Sequence, residues 1–600
     1  MHLTLLPAPR EVRVGDGIHR VGRGWEVAGG GRAAARARAL PGCDLAETTD
    51  RASRLELHLD RTLPAEGFSL SVEPERLRIV AGDERGALWG TETIRQLVAC
   101  CGAALPCLEL RDWPDLAERG YLLDVSRDRV PTMASLRELV DRLAMLRVNQ
   151  LQLYTEHTFA FHGHATVWRD ASPLTAAELC TLDDWCDERG IELVPNLACF
   201  GHMERWLAHP GYRHLAELPD GRLDGRPSSC LTPGPEALAF VQSRWDEFLS
   251  CFRSRRVNVN CDETVELGQG RSRAACERDG PGRVWARFVG AIIEDLQRRS
   301  GGYAVQLWAD MMAHYPAILD DLPRDGVTAL VWTYERPRSP DSVPAAVHPY
   351  TAGFGPPVET LAARGVDVVT CPGTSTWNAL VGRWRNACEN VLDAVRTARA
   401  AGSRGVLLTD WGDNGHLNPP AASLAPLAFG AAAAWSLDAL ARTDVPAALD
   451  ALFFGVPGTA ARALRAGDAA EHLGLTALNG TPFAYHLLRA GDDLVPAWGE
   501  TTFAELEAAI ADLDAAATLG DRTPLARELS QAARLSRVGA VRLGLERLGH
   551  GPGAATVLAE LDALRESQQP VWLAASRPGG LADSLARLDR VRRALQTGAP

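Results

Sequence analysis

The sequence predicts an α/β fold: a (β/α)8 TIM barrel with a small N-terminal α+β domain and a C-terminal α-helical domain. Three observations predict it. Eight short apolar runs alternate with amphipathic segments between Glu118 and Thr409. The chain before them alternates with period two, and the chain after Trp435 reads helical to its end. The boundaries that follow are 1–112, 113–440 and 441–600.

In the N-terminal part, Arg54 to Leu59, Phe68 to Val72 and Leu77 to Ala81 read as strands. The second stops at Glu73-Pro74-Glu75, and Gly86 to Leu97 suits a helix entered through glycines. In the barrel, the strands are Tyr121 to Val125, Gln150 to Tyr154, Ile191 to Pro195, Val257 to Asn260, Ala304 to Trp308, Ala329 to Trp332, Val366 to Thr370 and Gly405 to Thr409. The helices between them include Met133 to Arg147, Thr175 to Arg189, Pro235 to Phe252, Arg283 to Arg299 and Asn386 to Ala401. Gly190, Gly302 and Gly365 close helices before the next strand. An open doubly wound sheet is the alternative, but no Gly-rich phosphate loop follows the first strand. Beyond the barrel, Phe503 to Thr518, Pro524 to Arg547 and Ala555 to Glu566 carry helical spacing of Leu and Ala. These helices are the expected place of any homodimer contact.

Composition narrows the function. With 600 residues, a net charge of −13 and no basic stripe, the chain offers no nucleic-acid groove. It contains no lysine, which excludes Schiff-base chemistry on a lysine. No apolar stretch reaches the ~18 residues of a membrane span, and Met1 to Arg10 lacks the layout of a signal peptide. Thirteen scattered Cys without CxxC pairs suit reduced thiols, so a cytoplasmic location is expected.

A barrel places its chemistry at the C-terminal ends of its strands. Asp124, Ser126 and Arg127 follow the first strand. Tyr154, Glu156, His157, His162 and His164 end or follow the second, and Asn196, Cys199 and His202 the third. The fourth delivers Asp262 and Glu263 side by side. Neighbours on a regular strand face opposite ways, so both acids enter one pocket only if the backbone turns there. Trp308 and Asp310 come with the fifth strand; Trp332, Tyr334 and Glu335 with the sixth; Thr374, Ser375 and Trp377 with the seventh; Asp410, Trp411, Asp413 and Asn414 with the eighth. Trp near four consecutive strand ends, with carboxylates and one Arg, is what a sugar pocket requires: pyranose faces stack on indole, and hydroxyls take charged hydrogen bonds. His157, His162 and His164 invite a metal-hydrolase reading instead. Cys261 reads as a small buried packing residue.

Arg119-Gly120-Tyr121-Leu122-Leu123-Asp124-Val125-Ser126-Arg127 resembles the RG-x-x-LD-x-SR opening of the glycoside hydrolase family 20 barrel, that of the β-N-acetylhexosaminidases. Asn260-Cys261-Asp262-Glu263 stands where that family has GGDE, and Phe200-Gly201-His202 is similar to its PGH segment. Trp308, Trp332 and Trp411 fall where it places pocket tryptophans. Gly67 to Leu97 looks like its small N-terminal domain. The resemblance covers about residues 60 to 435 and is strongest to the compact bacterial exo-N-acetylglucosaminidase branch. Asn260 and Cys261 depart from the two glycines, and Tyr154 to His157 replaces the usual HxHxxDD.

The resemblance implies an exo-acting retaining β-N-acetylhexosaminidase, without cofactor, that releases terminal β-linked GlcNAc or GalNAc from oligosaccharides or glycoconjugates. In that family the substrate's own acetamido oxygen attacks the anomeric carbon, giving an oxazolinium intermediate. Asp262 would hold the acetamido group. Glu263, expected to be partly buried, would move the proton. Arg127 and Asp413 would bind ring hydroxyls. Trp308, Trp332, Trp377 and Trp411 would wall the sugar, Tyr334 would donate to the acetamido carbonyl, and His202 would orient Asp262 or Glu156. Two other readings stand beside this one: a metal-dependent barrel hydrolase and a catalytically inactive sugar-binding relative.

Overall fold

The computed structural model describes residues 3–42, 52–488 and 499–597. Met1 and His2, where the reading for a leader starts, lie outside them. The N-terminal part is a six-stranded sheet in the order β1-β6-β4-β5-β3-β2. Its strands are β1 (Glu11–Arg20), β2 (Trp25–Ala28), β3 (Ser53–Leu59), β4 (Phe68–Val72), β5 (Leu77–Ala81) and β6 (Ala104–Asp112). The three strands read from alternation are β3, β4 and β5. Phe68, Leu70 and Val72 of β4 are buried, as are Leu77, Ile79 and Ala81 of β5. The covering helix runs Glu84–Cys101, longer than read, because the Asp83 carboxylate caps it by accepting the Gly86 N–H. Nearly all of β1 is exposed, its apolar Val12, Val14 and Ile18 included.

All eight barrel strands form in the expected order: β7 (Glu118–Asp124), β8 (Gln150–Tyr154), β9 (Glu192–Val194), β10 (Arg256–Asn258), β11 (Ala304–Trp308), β12 (Val327–Trp332), β13 (Asp367–Cys371) and β14 (Gly405–Asp410). They pair in parallel, β14 returns to β7, and a parallel bridge between Asn196 and Asn258 joins β9 to β10. The expected helices appear as Met133–Met145, Ala176–Glu188, Pro235–Phe248, Pro281–Arg298 and Trp384–Ala400. Gly190, Gly302 and Gly365 take positive φ, as a residue ending a helix in the left-handed region does.

The barrel interior is layered. Its middle is an amide network: Gln152 Nε2 donates to Gln150 Oε1 and Gln306 Oε1, while Asn196 Nδ2 and Asn258 Nδ2 donate to Gln152 Oε1. Above it lies an apolar and aromatic layer of Leu122, Tyr154, Trp308, Leu330, Val369, Cys371, Leu407 and Trp411. At the opposite end the N-terminal sheet docks through buried charge. Arg147 pairs with Asp112, and Arg119 with Glu66. Arg147 also donates to Thr93 Oγ1 at 2.9 Å, and Trp435 Nε1 donates to Asp112 Oδ1 at 2.9 Å.

The C-terminal helices Phe503–Ala517, Pro524–Leu543, Ala554–Ala575 and Leu581–Thr597 pack on the barrel. The second ends earlier than read, because the backbone widens into a π-turn over Gly544–Leu548. The buried Arg383–Glu335 pair, at 2.9 Å, fixes part of this contact: Glu335 Oε1 also accepts the Asn479 N–H at 2.7 Å. Arg587 reaches Asp128 at 2.6 Å. Among the described residues no helix is long and apolar enough to cross a membrane.

Removing one partner of a fully buried ion pair strands the other charge, a loss of about 3–5 kcal/mol. Arg147→Ala is therefore expected to lower the thermal midpoint clearly, measured by calorimetry. Replacement of the exposed Arg527, paired with Asp521 on the surface, should leave it nearly unmoved.

Candidate active site

Strand β10 ends at Asn258, two residues sooner than the alternation of Val257 and Val259 indicates. The reason is backbone conformation. Asn260, Cys261 and Glu263 all have positive φ, at 58°, 67° and 45°. Asn tolerates this region, and Cys and Glu enter it at a cost. The turn brings Asp262 and Glu263 to the same side. Asn260 holds it in place: its N–H donates to Asn258 Oδ1, its Nδ2 donates to Asn196 Oδ1, and its Oδ1 accepts from Trp308 Nε1 at 2.8 Å. Cys261 is buried, with its carbonyl taking the Trp285 Nε1–H, as expected of a packing residue.

The Gly201-His202 segment lies against this turn. A Cβ on Gly201 would sit 2.4 Å from the Asp262 carbonyl oxygen, so only glycine fits. His202 follows, with Nε2 3.3 Å from Asp262 Oδ2 and 3.6 Å from Glu263 Oε2. Burial works against an imidazolium here, and so does Arg127 Nη2, 3.4 Å from Nδ1. Asp262 and Glu263 outweigh both and raise the His202 pKa to about 10. In that state the Arg127 approach is a contact of like charges and not a hydrogen bond.

The two acids differ. Asp262 is buried, and its Oδ1 is sealed from solvent with no hydrogen-bond partner. The Glu263 side chain is 54% exposed, against the partial burial expected, because its turn carries it to the pocket mouth. Its backbone N–H donates to Asp310 Oδ2 at 2.9 Å.

Arg127 lies across the pocket floor. It donates to Asp124 Oδ2 at 3.1 Å, stands 3.4 Å from Glu156 Oε1, and stacks over Tyr154 and Trp411. Asp124 is the joint between first and last strands, since its Oδ2 also accepts the Gly412 N–H. Burial pushes the Glu156 carboxyl up to about 7, against the pull of Arg127, and the Asp413 carboxyl up to about 6, again against Arg127.

Arg127, His202, Asp262, Glu263, Trp308, Trp332, Tyr334, Trp411 and Asp413 line one cavity of about 640 Å³, a volume typical of a small-molecule site. Trp332 and Tyr334 stack with centroids 5.2 Å apart, and Trp411 Nε1 donates to Tyr334 Oη at 2.8 Å. Glu156 and Trp377 are not in that wall. Glu156 faces an adjoining hollow shared with Arg127 and His202. Trp377 is buried behind Tyr334, its ring edge-on at 5.0 Å. The wall also includes Glu204, Arg222, Arg226, Tyr350, Asn378 and Asn414, and, from the C-terminal part, Leu478 and Asn479. Asn414 was within reach of the strand-end rule. Leu478 and Asn479 carry no sequence signal, because they arrive from a segment far beyond the eighth strand.

The histidines that invite a metal go separate ways. His157 is buried, its pKa pushed down by burial to about 3. His162 is exposed, and His164 Nδ1 pairs with Tyr212 Oη. Among the described residues no group of three His, Cys, Asp or Glu is arranged to hold a metal ion.

The fold and site thus define a (β/α)8 barrel protein with an unequal carboxylate pair in an aromatic-walled pocket. Comparison with known proteins makes this specific. Residues 2–113 match the model "Glycosyl hydrolase family 20, domain 2", and residues 117–348 match "Glycosyl hydrolase family 20, catalytic domain". The chain belongs to glycosyl hydrolase family 20. Among curated relatives, hexosaminidase D of Homo sapiens is 25% identical over 34% of this chain and 42% of its own. The beta-hexosaminidase of Akkermansia muciniphila is 26% identical over 36% of this chain and 49% of its own. The chain therefore spans about half or less of the length of these relatives. Among solved structures, the chitobiase of Flavobacterium johnsoniae superposes with a TM-score of 0.60 at 16% identity, covering 99% of both chains. The family 20 exo beta-N-acetylglucosaminidase of Vibrio harveyi gives 0.59 at 17%, covering 75% of this chain and 78% of its own. At these identities the structures support the fold.

The raised pKa of His202 has a stability consequence with a definite sign. Its folded value, about 10, lies above the ordinary 6.5, so its contribution is complete below pH 6.5 and is lost as pH rises toward 10. NMR titration should find the ring protonated through neutral pH, and Asp262→Asn should bring its pKa down.

Proposed function

We propose that this protein is an exo-acting retaining β-N-acetylhexosaminidase that removes terminal β-linked GlcNAc, or GalNAc, by substrate-assisted catalysis. The observation that carries the reading is the inequality of the acid pair: one buried carboxylate with an unpartnered, sealed oxygen beside one exposed carboxyl at the mouth. Family membership supports it.

In this reading the sugar lies between the Trp308, Trp332 and Trp411 faces, with Arg127 and Asp413 on its ring hydroxyls. Asp262 Oδ1 accepts the acetamido N–H, and Tyr334 Oη points to the acetamido carbonyl. The carbonyl oxygen attacks C1, the glycosidic C–O bond breaks, and the Glu263 proton goes to the leaving oxygen. The oxazolinium N–H keeps its bond to Asp262, where a full negative charge in a buried site stabilises it strongly. Glu263, now a carboxylate, takes a proton from water as that water's oxygen attacks C1; the C1–O bond to the acetamido oxygen breaks, the acetamide is restored, and the β-configuration is retained. His202 holds Asp262 in register.

Glu263→Gln is expected to lose at least ~100-fold in kcat on a chitobiose-type substrate and far less on an aryl glycoside with a good leaving group. Asp262→Asn should lose turnover on both while its melting temperature holds. A thiazoline mimic of the cyclised intermediate should bind the wild type much more tightly than GlcNAc does. Wild-type rates in both variants would sink the mechanism. Activity that survives exhaustive chelation separates this reading from the metal hydrolase, and any turnover separates it from an inactive sugar-binding relative.

A further inference from the structure

Asp310 is the first residue of the short helix Asp310–His314 after β11. It touches no expected substrate group, yet it faces the acid pair from the next strand. Its Oδ2 accepts the Glu263 backbone N–H at 2.9 Å. Its Oδ1 is sealed from solvent without a partner, like Asp262 Oδ1. The Glu263 peptide it holds has φ 45°, a conformation a glutamate does not keep unaided. The other backbone restraint at Glu263 is its carbonyl, which accepts the Val265 N–H at 2.7 Å. Without the Asp310 acceptor, the Glu263 N–H loses its partner and the turn loses one of the bonds that oppose its relaxation toward negative φ. That relaxation re-aims the Glu263 side chain and leaves Asp262 largely where His202 and the Asn260 amide hold it.

We propose that Asp310 is a positioning residue for the general acid, anchoring the left-handed Glu263 peptide so that the carboxyl points at the leaving oxygen. The inference rests on the glycosidase reading above. Burial and the charge of Asp262 push the Asp310 carboxyl up to about 7, against the pull of the Glu263 N–H. An uncharged side chain with the same acceptor should therefore serve, and Asn has one.

The test compares Asp310→Ala and Asp310→Asn on two substrates, chitobiose and a dinitrophenyl N-acetyl-β-glucosaminide, alongside binding of the thiazoline mimic. Asp310→Ala should lose roughly 100-fold in kcat on chitobiose. It should lose less than about 10-fold on the dinitrophenyl glycoside, which leaves without protonation. Thiazoline affinity should stay within about threefold, because that ligand needs Asp262 and not an aimed acid. Asp310→Asn should restore chitobiose turnover to within about 10-fold of wild type. Equal losses on both substrates, or an Asn variant as impaired as Ala, overturn the inference while the glycosidase reading stands. Should the Ala variant not fold, the Asn variant and Asp310→Ser, too short to reach the peptide, give the same comparison. A wild type inactive on both glycosides overturns the glycosidase reading and this inference together.

Discussion

The side-chain amide of Asn260 is the constraint on which the site depends. It donates to Asn196 beyond β9 and accepts from Trp308 on β11, while the Asn260 backbone N–H donates to Asn258 Oδ1 at the strand end. Each such bond is worth about 1 kcal/mol net. Together they are of the size needed to offset left-handed backbone at non-glycine residues, about 1–2 kcal/mol each. The amide network beneath, centred on Gln152, extends this restraint to β8 and across to Gln306. A polar barrel interior of this kind is costly unless every member is bonded. Here it gives the strand ends a fixed spacing that an aliphatic interior would leave to packing alone.

Charge in the pocket is arranged around two cations. Arg127 is enclosed by Asp124, Glu156 and Asp413, and His202 by Asp262 and Glu263. The acids exceed the cations, and the burial of Glu156, Asp310 and Asp413 raises their pKa values into the range where they carry protons near neutral pH. Asp262 has the closest contact with the His202 ring, 3.3 Å from Nε2. The site therefore sets several acids whose burial favours their protonated forms around two cations.

Most of the barrel was legible because parallel strands buried on both faces read as short apolar runs, and amphipathic helices separate them. Strand ends then pointed to Arg127, His202, Asp262, Glu263, Trp308, Trp332 and Trp411, which line one cavity. Three kinds of feature were not legible. β10 stops early because Asn260 and Cys261 adopt a left-handed conformation, and a thiol gives no hint of positive φ. Trp377 looks like a wall residue from its place after β13, but whether an indole fronts or backs a pocket depends on which neighbour reaches the cavity first, here Tyr334. β1 and β6 escaped reading because they pair with each other across the length of a domain, which leaves no local trace in the sequence.

The Asn479 peptide, bonded to the buried Glu335, makes the pocket a composite of two structural units. A molecule that touches both walls would bind more tightly the better the helical part is seated on the barrel. The segment carrying Leu478 and Asn479 accordingly shapes the cavity together with the strand ends. Substitutions that move Leu478 or Asn479 would reshape one wall of the cavity while the barrel strands keep their places.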